Sequence, residues 1–247
     1  MKHLINLDAL PQDVAQKIAP YMEKMLGIHG EIINSIFIYG SACGTDYIKG
    51  SSDINSAIIF SSLSLKDLQR SLHIVDKGIR QRISAPLFLT KDHIMTSCDT
   101  FPVEFSEMRE GHIIIYGENI FQGMVIEPKY TRFICEQQLK GKLIRIRQAY
   151  LEIGLRRKGM EALIKESFSS LFPIFRGLLR LKGITPPAGK LESLKCLSKN
   201  FEINVDSFEA ILADNKNDEK MGGQRIEAFL EKYIQALEHL ATIVDKL

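Results

Sequence analysis

Two apolar runs joined by a polar, glycine-containing connection place the strongest constraint on how this 247-residue chain folds. The first run, Ile33–Tyr39, ends in Gly40-Ser41, and the second covers Asp53–Phe60. Apolar runs of this length, bounded by turn residues, predict buried β-strands. A strand that delivers a glycine-serine turn can direct backbone N–H groups at a phosphate. The segment therefore predicts a strand–turn–strand unit with a possible anion site at the turn.

Polar side chains open the second strand, directly after Ser52. Successive side chains of a strand point to opposite faces, so Asp53 and Asn55 are predicted on one face, about 6.6 Å apart along the strand. Carboxylate and amide oxygens are suitable ligands for Mg²⁺. A phosphate-binding turn beside a cation site is what metal-assisted phosphoryl transfer requires. Either feature alone is common in turns and at strand ends, so the prediction depends on their combination.

A third polar side chain comes from a later segment. Residues Thr100–Phe105 alternate apolar and polar side chains and are predicted to form a strand, with Pro102 favouring an edge position. Glu104 is then predicted on the face opposite the apolar side chains. The predicted metal ligands are therefore Asp53, Asn55 and Glu104.

The rest of the first half alternates helical and strand patterns, which predicts a mixed α/β sheet. The predicted elements are a helix from Pro11 to about Leu26 that Pro20 kinks or interrupts, a helix from Ser64 to about Ile83, a strand at Ala85–Leu89, a short helix capped by Thr90, and a strand at His112–Tyr116. The apolar face of the first helix is predicted from the helical spacing of Val14, Ile18, Met22 and Met25. The helix after Ser64 is predicted to direct five apolar residues inward: Leu65, Leu68, Leu72, Val75 and Ile79.

Helical spacing dominates from Lys129 onward and predicts a helical bundle. The predicted helices are a long one after Lys129, a second at Met160–Leu181 and a terminal one at Glu227–Lys246, with loops at 182–190 and 213–218. Two domains follow, residues 1–127 and residues 128–247, with the boundary within Gly123–Lys129.

Charge is distributed unevenly along the chain. Residues 1–127 contain 11 Lys/Arg and 15 Asp/Glu, whereas residues 128–247 contain 21 and 15, so their net charges are −4 and +6. The second half is therefore predicted to attract anions, although a solvated helix face is the alternative interpretation of each basic residue. The densest basic stretch contains Lys140, Lys142, Arg145, Arg147, Arg156, Arg157, Lys158 and Lys165.

Several observations favour a cytoplasmic protein. The amino-terminal residues lack the apolar core of a signal peptide, and no apolar stretch approaches the length of a membrane span. The four cysteines are widely spaced and are predicted to be reduced thiols. No basic stripe with interleaved aromatic residues favours RNA, and nucleic acid remains an open alternative as a partner.

Taken together, Gly40-Ser41, the Ser52-Asp53-Ile54-Asn55 tetrapeptide, Glu104 and the stretch MREGHIIIYGENIF resemble the nucleotidyltransferase superfamily (the polymerase-β-like fold) over about residues 30–122. The resemblance implies an α/β (α+β) mixed-sheet domain followed by an all-α bundle, as in small bacterial-type nucleotidyltransferase-domain proteins. It implies NMP transfer from an NTP to a hydroxyl group of a small molecule or protein, with Mg²⁺ or Mn²⁺.

The same resemblance implies a role for each site residue. Gly40, Ser41 and Ser52 are expected to bind the nucleotide, and Asp53 and Glu104 to act as the charged catalytic ligands of the metal. Asn55 stands where the superfamily has its second acid.

Asn55 leaves two interpretations open. Its neutral amide reduces the charge of the three-ligand site from −3 to −2, which still permits one Mg²⁺ held with the help of substrate phosphates. Alternatively, the chain is a catalytically attenuated or inactive nucleotide-binding or protein-interaction module. Asp99 and Glu107 are candidates for a replacement acid, and exposed loop carboxylates are the alternative interpretation of both.

Overall fold

The structure is a computed structural model that describes residues 3–154, 159–214 and 223–247. Contacts between Cα atoms divide the chain into two compact units, Met1–Val125 and Ile126–Leu247. The first unit contains the sheet, and the described part of the second is helical. The division into two domains, residues 1–127 and residues 128–247, stays a prediction. Within the described segments, no helix is both long and apolar enough to cross a membrane.

A four-stranded mixed sheet forms the centre of the first unit. Its strands are β1 (Ile33–Tyr39), β2 (Asn55–Phe60), β3 (Leu87–Thr90) and β4 (His112–Gly117), and their spatial order is β3-β2-β1-β4. β1 pairs antiparallel with both β2 and β4, whereas β3 is parallel to β2. The predicted mixed sheet is therefore confirmed. β1 lies inside the sheet, consistent with its nearly continuous apolar sequence.

Helix α1 (Gln12–His29) covers one face of this sheet. Its predicted apolar face is confirmed, because four side chains at helical spacing are buried: Val14, Ile18, Met22 and Met25. The predicted interruption at Pro20 is wrong, since the helix continues through it. Pro20 lies on the exposed side, where water can satisfy the carbonyl that loses its helical donor.

Helix α2 (Leu65–Ile79) begins with a capping box formed by Ser64 and Asp67. The predicted inward face of this helix is wrong for Leu65, Leu72 and Ile79, which are 68%, 62% and 57% exposed, whereas Val75 packs partly buried against the core. Small residues of α2 also lie close to α1. A Cβ atom on Gly78 would lie 2.5 Å from Cε2 of Tyr21, so the glycine permits a close approach of the two helices. The periodicity identified an apolar face but not the face that packs.

The predicted strand at Thr100–Phe105 is also wrong. Helix α3 (Lys91–Thr96), capped by Thr90 as predicted, is followed by helix α4 (Pro102–Glu110). Pro102 stands at the first position of α4, where its missing N–H costs no helical hydrogen bond. Val103, Phe105, Ser106 and Met108 are buried at spacings that fit a helix. Short apolar runs of this kind do not distinguish a strand from a helix.

The second unit contains α5 (Pro128–Ile153), α6 (Met160–Ser169), α7 (Phe172–Leu181), α8 (Lys190–Phe201), α9 (Asp206–Asp214) and α10 (Gly223–Val244). The single helix predicted at Met160–Leu181 is wrong, because α6 and α7 are separate and Pro173 lies in the first turn of α7. An aromatic cluster fills this unit, in which the Phe168 and Phe208 rings stack with centroids 5.8 Å apart. The predicted loop before Lys190 is confirmed, and residues 215–218 lie outside the described residues.

A buried histidine joins α1 to α2. His29 Nε2 lies 2.9 Å from Ser71 Oγ, and its Nδ1 lies 3.8 Å from Asp67 Oδ1. The Ser71 hydroxyl donates to the carbonyl oxygen of Asp67, so the histidine Nε2–H is the donor to Ser71. His29 and Ser71 are both 2% exposed, and this serine–histidine–aspartate group is therefore a link between helices and not an accessible nucleophile. Burial lowers the pKa of His29, with a smaller contribution from Arg70.

We expect the free energy of unfolding to decrease as the pH falls below about 6.5, because the unfolded histidine binds a proton there while folded His29 stays neutral. The stabilisation is complete above that pH and is lost towards the folded pKa, by up to about 1.4 kcal/mol per pH unit for one histidine. Urea denaturation across this range measures the slope. His29→Gln should reduce the slope, leaving the contribution of His112, whose pKa burial also lowers. Equal slopes in both proteins would contradict the assignment.

A glycine at the end of β4 should be essential to the sheet. Gly117 has φ +78°, and a Cβ atom there would lie 1.9 Å from the carbonyl oxygen of Asn34. We expect Gly117→Ala to reduce the free energy of unfolding by about 3 kcal/mol. Gly27→Ala is the matched control: no atom lies within 4 Å of its Cβ position in α1, and alanine should stabilise this helix by up to about 1 kcal/mol. Equal effects of the two substitutions in thermal unfolding would refute this difference.

Candidate functional site

The turn after β1 requires a glycine. Gly40 has φ +78°, a conformation that side-chain-bearing residues rarely adopt, and it begins a short 3₁₀ turn, Gly40–Cys43. A Cβ atom on Gly40 would lie 3.3 Å from Asn55 Nδ2, so the turn and the start of β2 are in close proximity. Gly40 is exposed and Ser41 is half-buried, so this turn is accessible at the carboxyl end of β1. Two of the sequence-predicted residues, Gly40 and Asn55, are thus brought together.

Asp53 lies two residues before Asn55, the first residue of β2, and the strand begins two residues later than predicted. The backbone N–H of Ile54 donates to the carbonyl oxygen of Arg82 (2.8 Å), and the Ile54 carbonyl accepts from the Ser84 N–H (3.0 Å). These bonds hold the residue between Asp53 and Asn55 as an extension of the sheet. Ile54 is 1% exposed and points into the core with α1, so its two polar neighbours lie on the other face, as predicted.

The sequence did not indicate a cation beside Asp53, but the structure contains one. Arg82 Nη1 lies 3.6 Å from Asp53 Oδ1 and donates a hydrogen bond to the Ser51 carbonyl oxygen (3.0 Å). Arg82 has φ +63°, a conformation that costs a non-glycine residue about 1 kcal/mol or more. Both side chains are more than half exposed, so the ion pair itself contributes at most about 1 kcal/mol. A parallel backbone bridge brings Arg82 next to Asp53. The two residues are far apart in the sequence, so no local pattern could have predicted this contact.

The connection between the turn and β2 is anchored at two points. Ser52 Oγ accepts a hydrogen bond from the Ile48 N–H (2.9 Å), so this predicted nucleotide-binding hydroxyl already orders its own loop. The Tyr47 hydroxyl donates to Asp13 Oδ2 of α1 (2.6 Å). That hydrogen bond lowers the pKa of Asp13, while burial and the same bond raise the pKa of Tyr47 to about 12. Tyr47 therefore stays protonated and tethers the loop at neutral pH.

Glu104 does not lie on a strand. It occupies the first turn of α4, and its Oε2 atom is buried without a hydrogen-bond partner. The strands that flank β1 and β2 carry no carboxylate, since β3 reads Leu-Phe-Leu-Thr and β4 reads His-Ile-Ile-Ile-Tyr-Gly. The predicted position of Glu104 on an adjacent strand is therefore wrong. Its role as a ligand together with Asp53 stays a prediction.

A histidine occupies the same row of the sheet as Asn55. Tyr39 is in register with Asn55 on β2 and with His112 on β4. His112 Nδ1 lies 3.1 Å from the Arg109 carbonyl oxygen, which can only accept, so Nδ1 carries the proton and Nε2 is an acceptor. The ring also contacts Phe121, with centroids 4.6 Å apart, and burial lowers the pKa of His112. His112 is accordingly a neutral, packed histidine near the row of the site.

The residues at the turn fit one divalent cation better than two. Asp53 offers an exposed carboxylate and Asn55 an amide oxygen, and Mg²⁺ commonly binds through one or two carboxylates plus substrate phosphates. In the described ranges, no three His, Cys, Asp or Glu side chains form a group that could hold a metal. A clamp of two ions needs more negative charge than Asp53 supplies. The set Asp53, Asn55 and Glu104 stays a prediction.

Several basic residues of the second unit have acidic neighbours. Lys140 lies 2.6 Å from Glu136 and 3.0 Å from Asp245, and Arg147 pairs with Glu238. These contacts favour the interpretation of a solvated, ion-paired helix surface for this part of the basic stretch. Arg156, Arg157 and Lys158 lie outside the described residues.

Comparison with known proteins supports the fold. No protein-family model matches the sequence, and the search of curated proteins found no match. Among solved structures, the chain is similar to spectinomycin adenyltransferase AAD(9) from Enterococcus faecialis, crystallised with ATP and spectinomycin. The two chains are 12% identical, the TM-score is 0.54, and the similarity covers 90% of this chain and 98% of that one. The predicted resemblance is thereby confirmed for the architecture: this chain has the nucleotidyltransferase fold, a mixed-sheet part followed by a helical part.

Proposed function

We propose that this protein binds a nucleoside triphosphate and transfers its nucleoside monophosphate to a hydroxyl group of a small molecule. The observation that carries the proposal is the Gly40 turn, held in a left-handed conformation against Asn55 and close in sequence to the exposed Asp53. The likeness to an adenyltransferase crystallised with ATP and spectinomycin supports an NTP and a small-molecule acceptor. A protein hydroxyl is the other acceptor class that the sequence predicted.

Each residue of the turn has a distinct part in the proposed reaction. The oxygen of the acceptor hydroxyl attacks the α-phosphorus and its proton is released to solvent, while the bond from the α-phosphorus to the oxygen that bridges to the β-phosphate breaks and pyrophosphate leaves. Gly40 and Ser41 would contact the phosphates, while Ser52 orders the loop behind them. Asp53 and Asn55, with Glu104 as the proposed second carboxylate, would hold Mg²⁺ or Mn²⁺. When bound, such an ion neutralises phosphate charge and orients the leaving group.

A second candidate function is nucleotide binding without transfer. Two observations favour it: β3 and β4 supply no carboxylate to the site, and Arg82 already provides a positive charge 3.6 Å from Asp53. An arginine can pair with phosphate as well as with a carboxylate. In this case the fold would present a nucleotide to a partner and leave it intact.

The two functions are separated by a product assay. The protein is incubated with each of the four NTPs, a panel of hydroxyl-bearing small molecules, and Mg²⁺ or Mn²⁺, and NMP-adducts and pyrophosphate are measured. Thermal shift measurements with the same nucleotides report binding independently. Adducts would establish transfer, binding without adducts would favour the second function, and no nucleotide effect would reject both. We also propose a reducing, cytoplasmic location, supported by the wide spacing of the four cysteines along the chain.

Asp53→Ala should abolish the Mg²⁺-dependent part of nucleotide stabilisation while leaving the fold intact, because this side chain is exposed and supplies the charge that attracts the ion. Calorimetry with ATP, with and without Mg²⁺, measures the effect. Asp8→Ala, which removes another exposed carboxylate of the first unit, is the matched control and should bind as the wild type does. Unchanged Mg²⁺ dependence in Asp53→Ala would exclude the proposed ligand role.

Asn55→Asp should tighten Mg²⁺ binding by about tenfold, equivalent to about 1.4 kcal/mol, because hard cations prefer anionic oxygen. Without metal, the added charge should repel Asp53 and raise a carboxylate pKa. If the wild type is an attenuated enzyme, NMP transfer should increase with metal affinity. If Asn55 is a ligand in a one-metal enzyme, transfer should stay level or fall. Weaker Mg²⁺ binding in Asn55→Asp than in wild type would contradict the proposed cation site.

A further inference from the structure

Helix α2 exposes an apolar stripe that the described residues of its own unit leave mostly uncovered. Within it, Leu65, Leu68, Leu72 and Ile79 are 68%, 40%, 62% and 57% exposed, and the half-buried Val75 forms its inner margin. Contiguous exposed apolar surface of this kind usually marks an interaction site, whereas single exposed apolar residues do not. We name this surface the α2 stripe and define it by these five residues.

Residue spacing makes the α2 stripe suitable for contact with another helix. Its members follow one another at intervals of three, four, three and four residues, the heptad pattern by which helices pack side by side. The stripe adjoins the face that packs within the unit, because Val75 also packs against the core. That inner face uses Ser71, bonded to His29, and Gly78, which lies against Tyr21. Helix α2 thus has two contact faces, and its own unit uses one of them.

We propose that the α2 stripe binds the same stripe of a second copy of this chain, with the two helices antiparallel about a two-fold axis near Leu72. The stripe is centred on this residue, since Leu65 and Ile79 each lie seven positions away. A two-fold axis places each end of one stripe against the opposite end of the other, so every apolar side chain meets an apolar partner. Self-complementary patches of this type are the requirement for a symmetric dimer. This inference does not depend on the proposed nucleotide chemistry.

Polar residues beside the stripe are compatible with the antiparallel arrangement. Gln69 and Asp76 lie along its outer flank, and the two-fold axis sets Gln69 of each copy opposite Asp76 of the other, where amide and carboxylate can form a hydrogen bond. Arg80, farther from the stripe, is already bound to Asp76 of its own helix at 2.7 Å.

The small area of the proposed interface predicts that the association is weak. A helix of fifteen residues is about 22 Å long, so one helix pair buries less than the roughly 800 Å² per partner of a standard stable interface. The dimer should therefore form only as the protein concentration rises, and its detection requires measurements over a wide concentration range.

Sedimentation equilibrium of the full chain across roughly 1–500 μM, a range that covers weak association, tests the proposal. We expect a monomer–dimer equilibrium for the wild type and at least a tenfold increase in the dissociation constant for Leu72→Glu, which brings two carboxylates together at the axis. Ile144→Glu, at a position of similar exposure (64%) on α5, is the matched control and should associate as the wild type does. A wild type that stays monomeric throughout, or a dimer that Leu72→Glu leaves unchanged, would overturn the proposal.

Thiol cross-linking tests the orientation and does not depend on how Leu72→Glu folds. The Leu65→Cys protein mixed with the Ile79→Cys protein should form a mixed dimer with a short bis-maleimide, whereas each alone should not, because the two ends of α2 are about 21 Å apart. The wild type, with its own four cysteines, gives the background. Cross-linking of Leu65→Cys to itself, or background levels in the mixture, would overturn the antiparallel arrangement.

Discussion

The antiparallel pairing of β1 with β2 is the interaction on which the candidate site depends. It sets Tyr39 opposite Asn55, so the chain must leave β1 at Gly40 in the immediate neighbourhood of the polar residues that open β2. The register between β1 and β2 cannot shift by one residue, because such a shift would exchange the side chains that face the core with those that face the site. A left-handed glycine completes this geometry, since any side chain at Gly40 would meet the Asn55 amide.

Electrostatics distinguish this site from one filled with carboxylates. Asp53 faces Arg82, and the neighbouring strand positions are apolar or neutral. Negative charge attracts divalent cations, whereas an arginine close to a carboxylate competes with them for the same oxygen. A cation at the proposed site would therefore depend more on the phosphates of a bound nucleotide than on the protein's own charge to complete its coordination. The strained backbone of Arg82 indicates that the surrounding structure holds this side chain in place at some cost.

Helix α2 illustrates how burial and hydrophobicity can diverge on one element. Its packed face combines Ser71 and Gly78, which allow the close approach of α1, with the partly buried Ile74 and Val75. The buried His29 satisfies the serine. Its apolar face is left to solvent, an arrangement with a free-energy cost unless another surface covers it. This division connects the interior of the first unit with the proposed contact between copies.

Local sequence was sufficient for features that local physics controls. The boundaries of β1, the buried face of α1, the cap at Thr90 and the glycine-serine turn follow from side-chain periodicity, capping and backbone freedom, all of which act over a few residues. The fold class followed from the order of these elements. The sequence could not decide the direction in which α2 faces or the helical form of Pro102–Glu110, because an apolar pattern is compatible with more than one packing partner. The sequence also could not predict that Arg82 lies beside Asp53 or that Glu104 lies on a helix and not on a strand. Contacts between residues far apart in the chain arise only when strands and helices assemble.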